Sequence, residues 1–206
     1  MGIEERKQRE REEMREKILN SAMKLFLDKG IENVSLRNIA ENIEYSPATV
    51  YLYFKDRGEI LFALHNKGFE KLYALQISLD HIKDPLERLR RHGRMYMKFA
   101  MENQDYYDLM FIAKGVAEKI VIEKSWEAGG KAYQYLVDNV KACIDEGYFK
   151  DTDPNAAAFA FWSFVHGMAS LIIRQRCAMM PAEYIEAMTE CAMQFIFNNL
   201  SAIDAK

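Results

Sequence analysis

The sequence predicts an all-α fold, with an N-terminal domain over residues 1–57 and a larger one over residues 58–206. Three observations carry this reading. Only four prolines and ten glycines interrupt 206 residues. Almost nothing alternates with period two, as a half-buried strand would. Apolar residues instead recur three and four apart, in segments opened by Ser or Asp and closed by Gly. Half of the residues are apolar, enough to build a real core.

Residues 4–17, EERKQREREEMREK, hold six bases and six acids. Many lie three or four apart and support an exposed helical extension. Its Arg6, Lys7, Arg9 or Arg11 could alternatively reach a flanking phosphate or the minor groove. From Ile18 the pattern turns amphipathic through Leu19, Ala22, Leu25 and Phe26, and it stops at Lys29–Gly30.

Residues 34–57, VSLRNIAENIEYSPATVYLYFKDR, read as two short helices joined by a tight turn. Ser35 can cap the first, whose apolar face is Leu36, Ile39, Ala40 and Ile43. Glu44 and Tyr45 make the turn. Ser46 caps the second, with Pro47 at its first position, where a missing N–H costs nothing. Val50 and Phe54 point back to the first helix, leaving Pro47, Ala48, Thr49, Tyr51 and Tyr53 outward. Two helices crossing over so short a turn form a helix-turn-helix, whose second helix enters a DNA major groove.

Asp56 can cap a long helix to about Leu79, with Ile60, Leu61, Leu64, Phe69 and Leu72 inward. Asp84–Pro85 opens another to about Met101, and residues 102–104 break it. Residues 105–115 form a short aromatic helix; 116–124 suit either a turn or a short helix. Ser125 to Glu146 is a long helix stopped at Gly147, with Gly129–Gly130 marking a kink or close packing. Asp153–Pro154 starts a very apolar helix to about Cys177. Pro181 introduces the last, from Tyr184 to about Leu200.

Net charge is −3. Residues 1–57 balance 11 Lys/Arg against 11 Asp/Glu, so nucleic-acid binding must depend on where charge sits. Backbone N–H groups and helix N-termini can hold phosphates with little net charge. No run approaches the ~20 apolar residues of a membrane span, and the charged N-terminus has no apolar signal core. Cys143, Cys177 and Cys191 are odd in number and widely spaced, which fits reduced thiols of a cytosolic protein.

The run IAENIEYSPATVYLYFKDRGEIL resembles the DNA-binding signature of the TetR/AcrR family of bacterial transcriptional regulators. The resemblance rests on Ile39–Ala40, Ser46, Thr49, Val50–Tyr51, Phe54–Lys55 and Glu59–Ile60–Leu61. Glu44 stands in the turn where that family usually has Gly. A residue bearing Cβ there takes a left-handed conformation, or the turn has another form. The resemblance implies a three-helix DNA-binding domain, a fourth helix shared with the rest of the chain, and DNA contacts at Thr49, Tyr51 and Lys55.

By residue type, Ser35, Ser46, Tyr51, Tyr53 and Lys55 suit phosphates. Arg37, Pro47, Ala48 and Thr49 lie at or near helix starts and can meet base edges. The ordinary alternative is that Tyr51 and Tyr53 merely cover the core edge.

Residues 60–175 are rich in Met and aromatics. Phe69, His92, Tyr96, Phe99, Met110, Phe111, Trp126, Tyr133, Trp162 and His166 are candidate lining residues of an apolar effector cavity with a few polar anchors. The alternative is plain core; the resemblance implies a small effector, and the composition of the lining suits a hydrophobic or aromatic one. His65, His81, His92 and His166 have no spacing that builds a metal site. No nucleophile elbow, phosphate loop or dinucleotide fingerprint is present. Neither a cofactor nor catalysis is expected.

Phe161, Phe164, Val165, Met168, Leu171 and Ile172 crowd one late helix. Ile185, Met188, Ala192, Phe195 and Ile196 stripe the other. Each is more apolar than one buried face requires. Two copies about a two-fold would make a four-helix bundle suited to a palindromic operator; the alternative is that both helices are central in a monomer core, and the resemblance favours the dimer. The expectation is a cytoplasmic, homodimeric, ligand-responsive DNA-binding repressor. The competing class is a lipid-like-molecule carrier or enzyme with a vestigial helix-turn-helix.

Overall fold

The computed structural model describes residues 2–112 and 126–202. Among the described residues there are nine α-helices and no strand. They are α1 (Ile3–Lys29), α2 (Leu36–Asn42), α3 (Pro47–Tyr51), α4 (Arg57–Ile77), α5 (Pro85–Glu102), α6 (Gln104–Phe111), α7 (Glu127–Asp145), α8 (Pro154–Ile173) and α9 (Ala182–Ala202). The predicted all-α class holds.

The chain divides into two compact units, residues 1–68 with 105–126, and residues 69–104 with 127–206. The division falls inside α4, after Gly68, and α6 joins the first unit.

The first unit is built on the back half of α1. Ile18, Leu19 and Ala22 pack with Ile39 and Ala40 of α2, Val50 of α3, and Ile60 and Leu64 of α4. These eight residues are essentially sealed from solvent. Leu109 of α6 belongs to the same core. Full burial of each aliphatic side chain contributes about 1.5–3 kcal/mol, so this small domain depends on all of them. The charged extension is not a separate piece: α1 is one continuous helix from Ile3, with Arg6–Glu10 and Arg9–Glu13 pairs along its exposed start. Asp56 caps α4 as expected, accepting the Glu59 N–H at 2.9 Å. Arg57 ties that helix start to the Ile31 carbonyl and the Glu32 carboxylate, at 2.9 and 2.8 Å.

In the second unit α5 is central and packs on α7, α8 and α9, while α7 also packs on α8. Asp84 and Asp153 cap α5 and α8, each with Pro at the first position. Gly93 permits close approach: a Cβ there would stand 2.4 Å from Met193 Cε. Several helix ends differ from expectation, among them α6, which stops at Phe111 rather than at residue 115. The fourth helix stops at Ile77, and α9 begins at Ala182. The apolar α8 stops at Ile173 rather than Cys177, because Gln175 turns left-handed (φ 53°) and Arg176 N–H closes on the Leu171 carbonyl at 2.8 Å. The readings of residues 113–125, Ser125 as a helix start included, lie outside the described residues.

One expectation is corrected. Pro154–Ile173 is long and apolar enough, by length and composition, to cross a membrane. Ser163, His166 and Ser170 interrupt it too lightly to offset its Ala, Phe and Trp content. Its contacts with α5 and α7 place part of it in a helical core.

Candidate nucleic-acid interface and effector region

The turn between α2 and α3 is a Schellman closure. Glu44 N–H reaches the Glu41 carbonyl at 3.1 Å, and Tyr45 N–H reaches the Ala40 carbonyl at 3.0 Å. Glu44 adopts φ 61°, so of the two forms left open by the sequence the left-handed one occurs. Ser35 and Ser46 both act as N-caps, accepting N–H groups of Asn38 and Thr49 at 3.2 Å. Ser46 Oγ also meets Thr49 Oγ1 at 3.0 Å, which orients the threonine at the start of α3.

None of the predicted contact residues is sealed in the core. Ser35, Arg37, Ser46, Ala48, Tyr51 and Lys55 are exposed; Pro47, Thr49 and Tyr53 are half-buried. Tyr51 stands 59% exposed while Val50 and Phe54 are sealed, so α3 is one turn of anchored helix with its other face bare. The sequence reading missed two features. Leu52 is 78% exposed beside Tyr51. Lys17 of α1 lies over the Tyr45 ring at 4.7 Å, bringing a cation to the turn. No local spacing pairs Lys17 with Tyr45, since only tertiary packing does so.

The predicted effector residues divide. Met110, Phe111 and Trp126 belong to the first unit, where Met110 is buried and Trp126 is more than a third exposed. The other seven belong to the second. There Tyr96 OH meets His166 Nδ1 at 3.2 Å and receives the Trp162 indole N–H at 3.4 Å, and Tyr133 packs edge-on to Trp162. His92, Phe69 and Phe99 are buried. Burial holds the His92 imidazole neutral, with its pKa lowered to about 4, and lowers that of His166. A partner for His92 went unread: Gln76, 3% exposed, sits on the inward stripe of α4 with Phe69 and Leu72. A polar residue at that register was the available signal. Among the described residues no group of three His, Cys, Asp or Glu side chains could hold a metal ion.

Of the residues proposed for self-association, Val165 is buried within the protomer. Leu171, Met188 and Phe195 are exposed, Phe195 to 66%, and the sequence reading missed Phe159 and Tyr184, which are exposed as well. Phe161, Phe164, Met168, Ile172, Ala192 and Ile196 are half-buried.

Residues 18–64 match the bacterial regulatory proteins of the tetR family, and residues 89–195, over half of the chain, match the tetracyclin repressor-like C-terminal domain. The chain belongs to the TetR family of transcriptional regulators. The HTH-type transcriptional regulator HbdR of Aromatoleum sp. (strain CIB) is 25% identical over 162 residues, 77% of this chain and 69% of its own. An HTH-type transcriptional regulator of Staphylococcus aureus (strain USA300) is 31% identical over 85 residues, 34% of this chain and 46% of its own length. The fatty acid degradation regulator FadR of Bacillus halodurans shares the fold, with a TM-score of 0.73 at 16% identity over 89% of this chain and 94% of that one. As a TetR-family member the chain is a DNA-binding transcriptional regulator. The apolar α8 falls inside the matched C-terminal domain.

Proposed function

We propose that this regulator is a cytoplasmic, non-catalytic homodimer that represses from a palindromic operator and is released by a small hydrophobic effector. The observation that carries the DNA half is the bare face of α3, with Thr49 oriented by Ser46 and Tyr51 exposed. Thr49 is suited to base edges, and Ser35, Ser46, Tyr51, Tyr53 and Lys55 to phosphates. The exposed apolar side chains of α8 and α9 support pairing about a two-fold. That pairing would set two recognition helices roughly 34–36 Å apart, one DNA turn.

The effector half rests on the aromatic and histidine cluster of the second unit. Helix α4 runs unbroken, contributing Ile60 and Leu64 to the DNA-binding core and carrying Phe69, Leu72 and Gln76 beyond Gly68. An effector that displaces α4 therefore acts on the spacing of the recognition helices. It must bind the released state more tightly than the operator-bound one.

Paired thermal-shift and gel-shift measurements test this. The operator is first obtained by selecting bound genomic fragments. A ligand that raises the melting temperature should weaken operator binding, and a ligand that does the first without the second removes induction from the account. Affinity that falls steeply with salt is expected of the DNA binder. A carrier with a vestigial motif would show no sequence-selective DNA binding at all.

A further inference from the structure

Gln76 and His92 form a buried pair whose hydrogen bonding is incomplete. Gln76 Nε2 lies 3.0 Å from the Ala132 carbonyl and 2.9 Å from His92 Nε2. A carbonyl only accepts, so the amide nitrogen must face it, and this fixes the orientation of the Gln76 side chain. The same N–H2 group then donates to His92 Nε2, which is therefore the bare ring nitrogen. The proton of the neutral imidazole sits on Nδ1. Neither His92 Nδ1 nor Gln76 Oε1 has a hydrogen-bond partner among the described residues, and both atoms are sealed from solvent. The pair leaves one donor and one acceptor, each one carbon removed from their shared contact.

A buried polar group left without a partner costs about 1–3 kcal/mol, and such groups are few in folded proteins. Two on one contact suit a guest that completes both. The seam has further polar members: Tyr135 packs edge-on to His92, and Asn139, held by Arg88 Nε at 2.9 Å, leaves its own Nδ2 unpartnered. Leu89, Leu136 and Val140 bury apolar surface on neighbouring turns.

We propose that His92 Nδ1–H and Gln76 Oε1 are the polar anchor of the effector, which carries an uncharged head group that both accepts and donates, a hydroxyl or an amide, on an apolar body. This rests on the effector reading above. A carboxylate is disfavoured, because it offers two acceptors and no donor to Gln76 Oε1, and meets a neutral imidazole in place of a cation.

The test uses the full chain with 1-decanol, decanamide and decanoate as probes at pH 7.5, followed by calorimetry. The two neutral probes are expected to bind at least tenfold more tightly than decanoate. The Gln76→Met/His92→Phe variant should lose at least tenfold for the neutral probes while its unliganded melting temperature stays level or rises. Absence of neutral-probe binding, equal binding of decanoate, or unchanged binding by the variant overturns the proposal. In the last case the pair holds a buried water only. If the variant does not fold, the ¹⁵N resonance of His92 Nδ1 in the native chain should move on adding decanamide, and no movement likewise overturns it. Failure of the effector reading looks different: decanamide binds in the variant-sensitive way, yet operator affinity does not change.

Discussion

Tyr45 donates its backbone N–H to the Ala40 carbonyl across Glu44, closing the helix-turn-helix at 3.0 Å. The closure obliges Glu44 to hold φ 61°. A residue with a Cβ is strained there by roughly 1–2 kcal/mol, and glycine recovers part of that while losing more chain entropy on folding. Glu44→Gly is expected to stabilise the chain by about 1 kcal/mol, raising Tm by about 2–4 °C. Glu44→Ala keeps the Cβ and should give no comparable gain. Equal melting curves for all three would place the strain elsewhere.

Lys55 and Thr49 should separate by the kind of affinity they lose. Lys55 is exposed at the end of the recognition segment. Lys55→Ala is expected to weaken all DNA sequences alike and to reduce the salt slope by about two, roughly one for each protomer of the bound dimer. Thr49→Val keeps the shape and removes the hydroxyl that Ser46 orients. It should relax discrimination at one position of each half-site by about 1–3 kcal/mol per half-site and leave the slope unchanged. Gel shifts over a range of salt with operator point variants read both.

Gly68 lies against Met110, such that a Cβ would stand 2.6 Å from Sδ and 2.8 Å from Cγ. Overpacking of this kind costs about 1–3 kcal/mol, against a helix-propensity gain of about 1. Gly68→Ala should therefore lower stability by about 1 kcal/mol. In a Met110→Ala background the same change should become neutral or stabilising, a coupling that a double-mutant cycle in urea would measure. Strict additivity would show that α6 does not press on α4 at this point.

His92 gives the second unit a defined acid sensitivity. Its pKa falls from an ordinary 6.5 to about 4 because burial penalises the charged ring. Between those values the unfolded chain holds more protons than the folded one. Stability therefore rises with pH through that window, is lost as pH drops from about 6.5 to 4, and levels off below. The loss amounts to about 3 kcal/mol. His65 and His166 are lowered too and add in the same direction. His92→Phe should flatten the pH dependence of urea unfolding over this range. An undiminished slope would assign the effect to the other histidines.

Self-association has a direct probe in Phe195 and Met188, exposed on α9. Phe195→Glu with Met188→Glu places two charges on the proposed interface without touching a buried side chain. The expected result is a monomer in sedimentation, native helicity, and loss of at least tenfold in operator affinity. A dimer that survives both charges would move the interface off this face.

Local chemistry made much of this protein legible in its sequence. The caps at Ser35, Ser46, Asp56, Asp84 and Asp153 each accept a backbone N–H where residue type and spacing placed them. The sealed face of α2 and α3 follows from a period of three to four, because both the cap and the periodicity are properties of a few neighbouring residues. Tertiary structure alone decided the remainder. It put Lys17 over Tyr45, 28 positions along the chain, and brought Gln76 against His92 and the Ala132 carbonyl. It drew Val165 inward while leaving Phe159 and Phe195 bare. A side chain's partners across the chain depend on how whole helices pack, and many packings share the same apolar pattern. The sequence could therefore state that a helix had a buried face, but not which atoms on that face would remain without a partner.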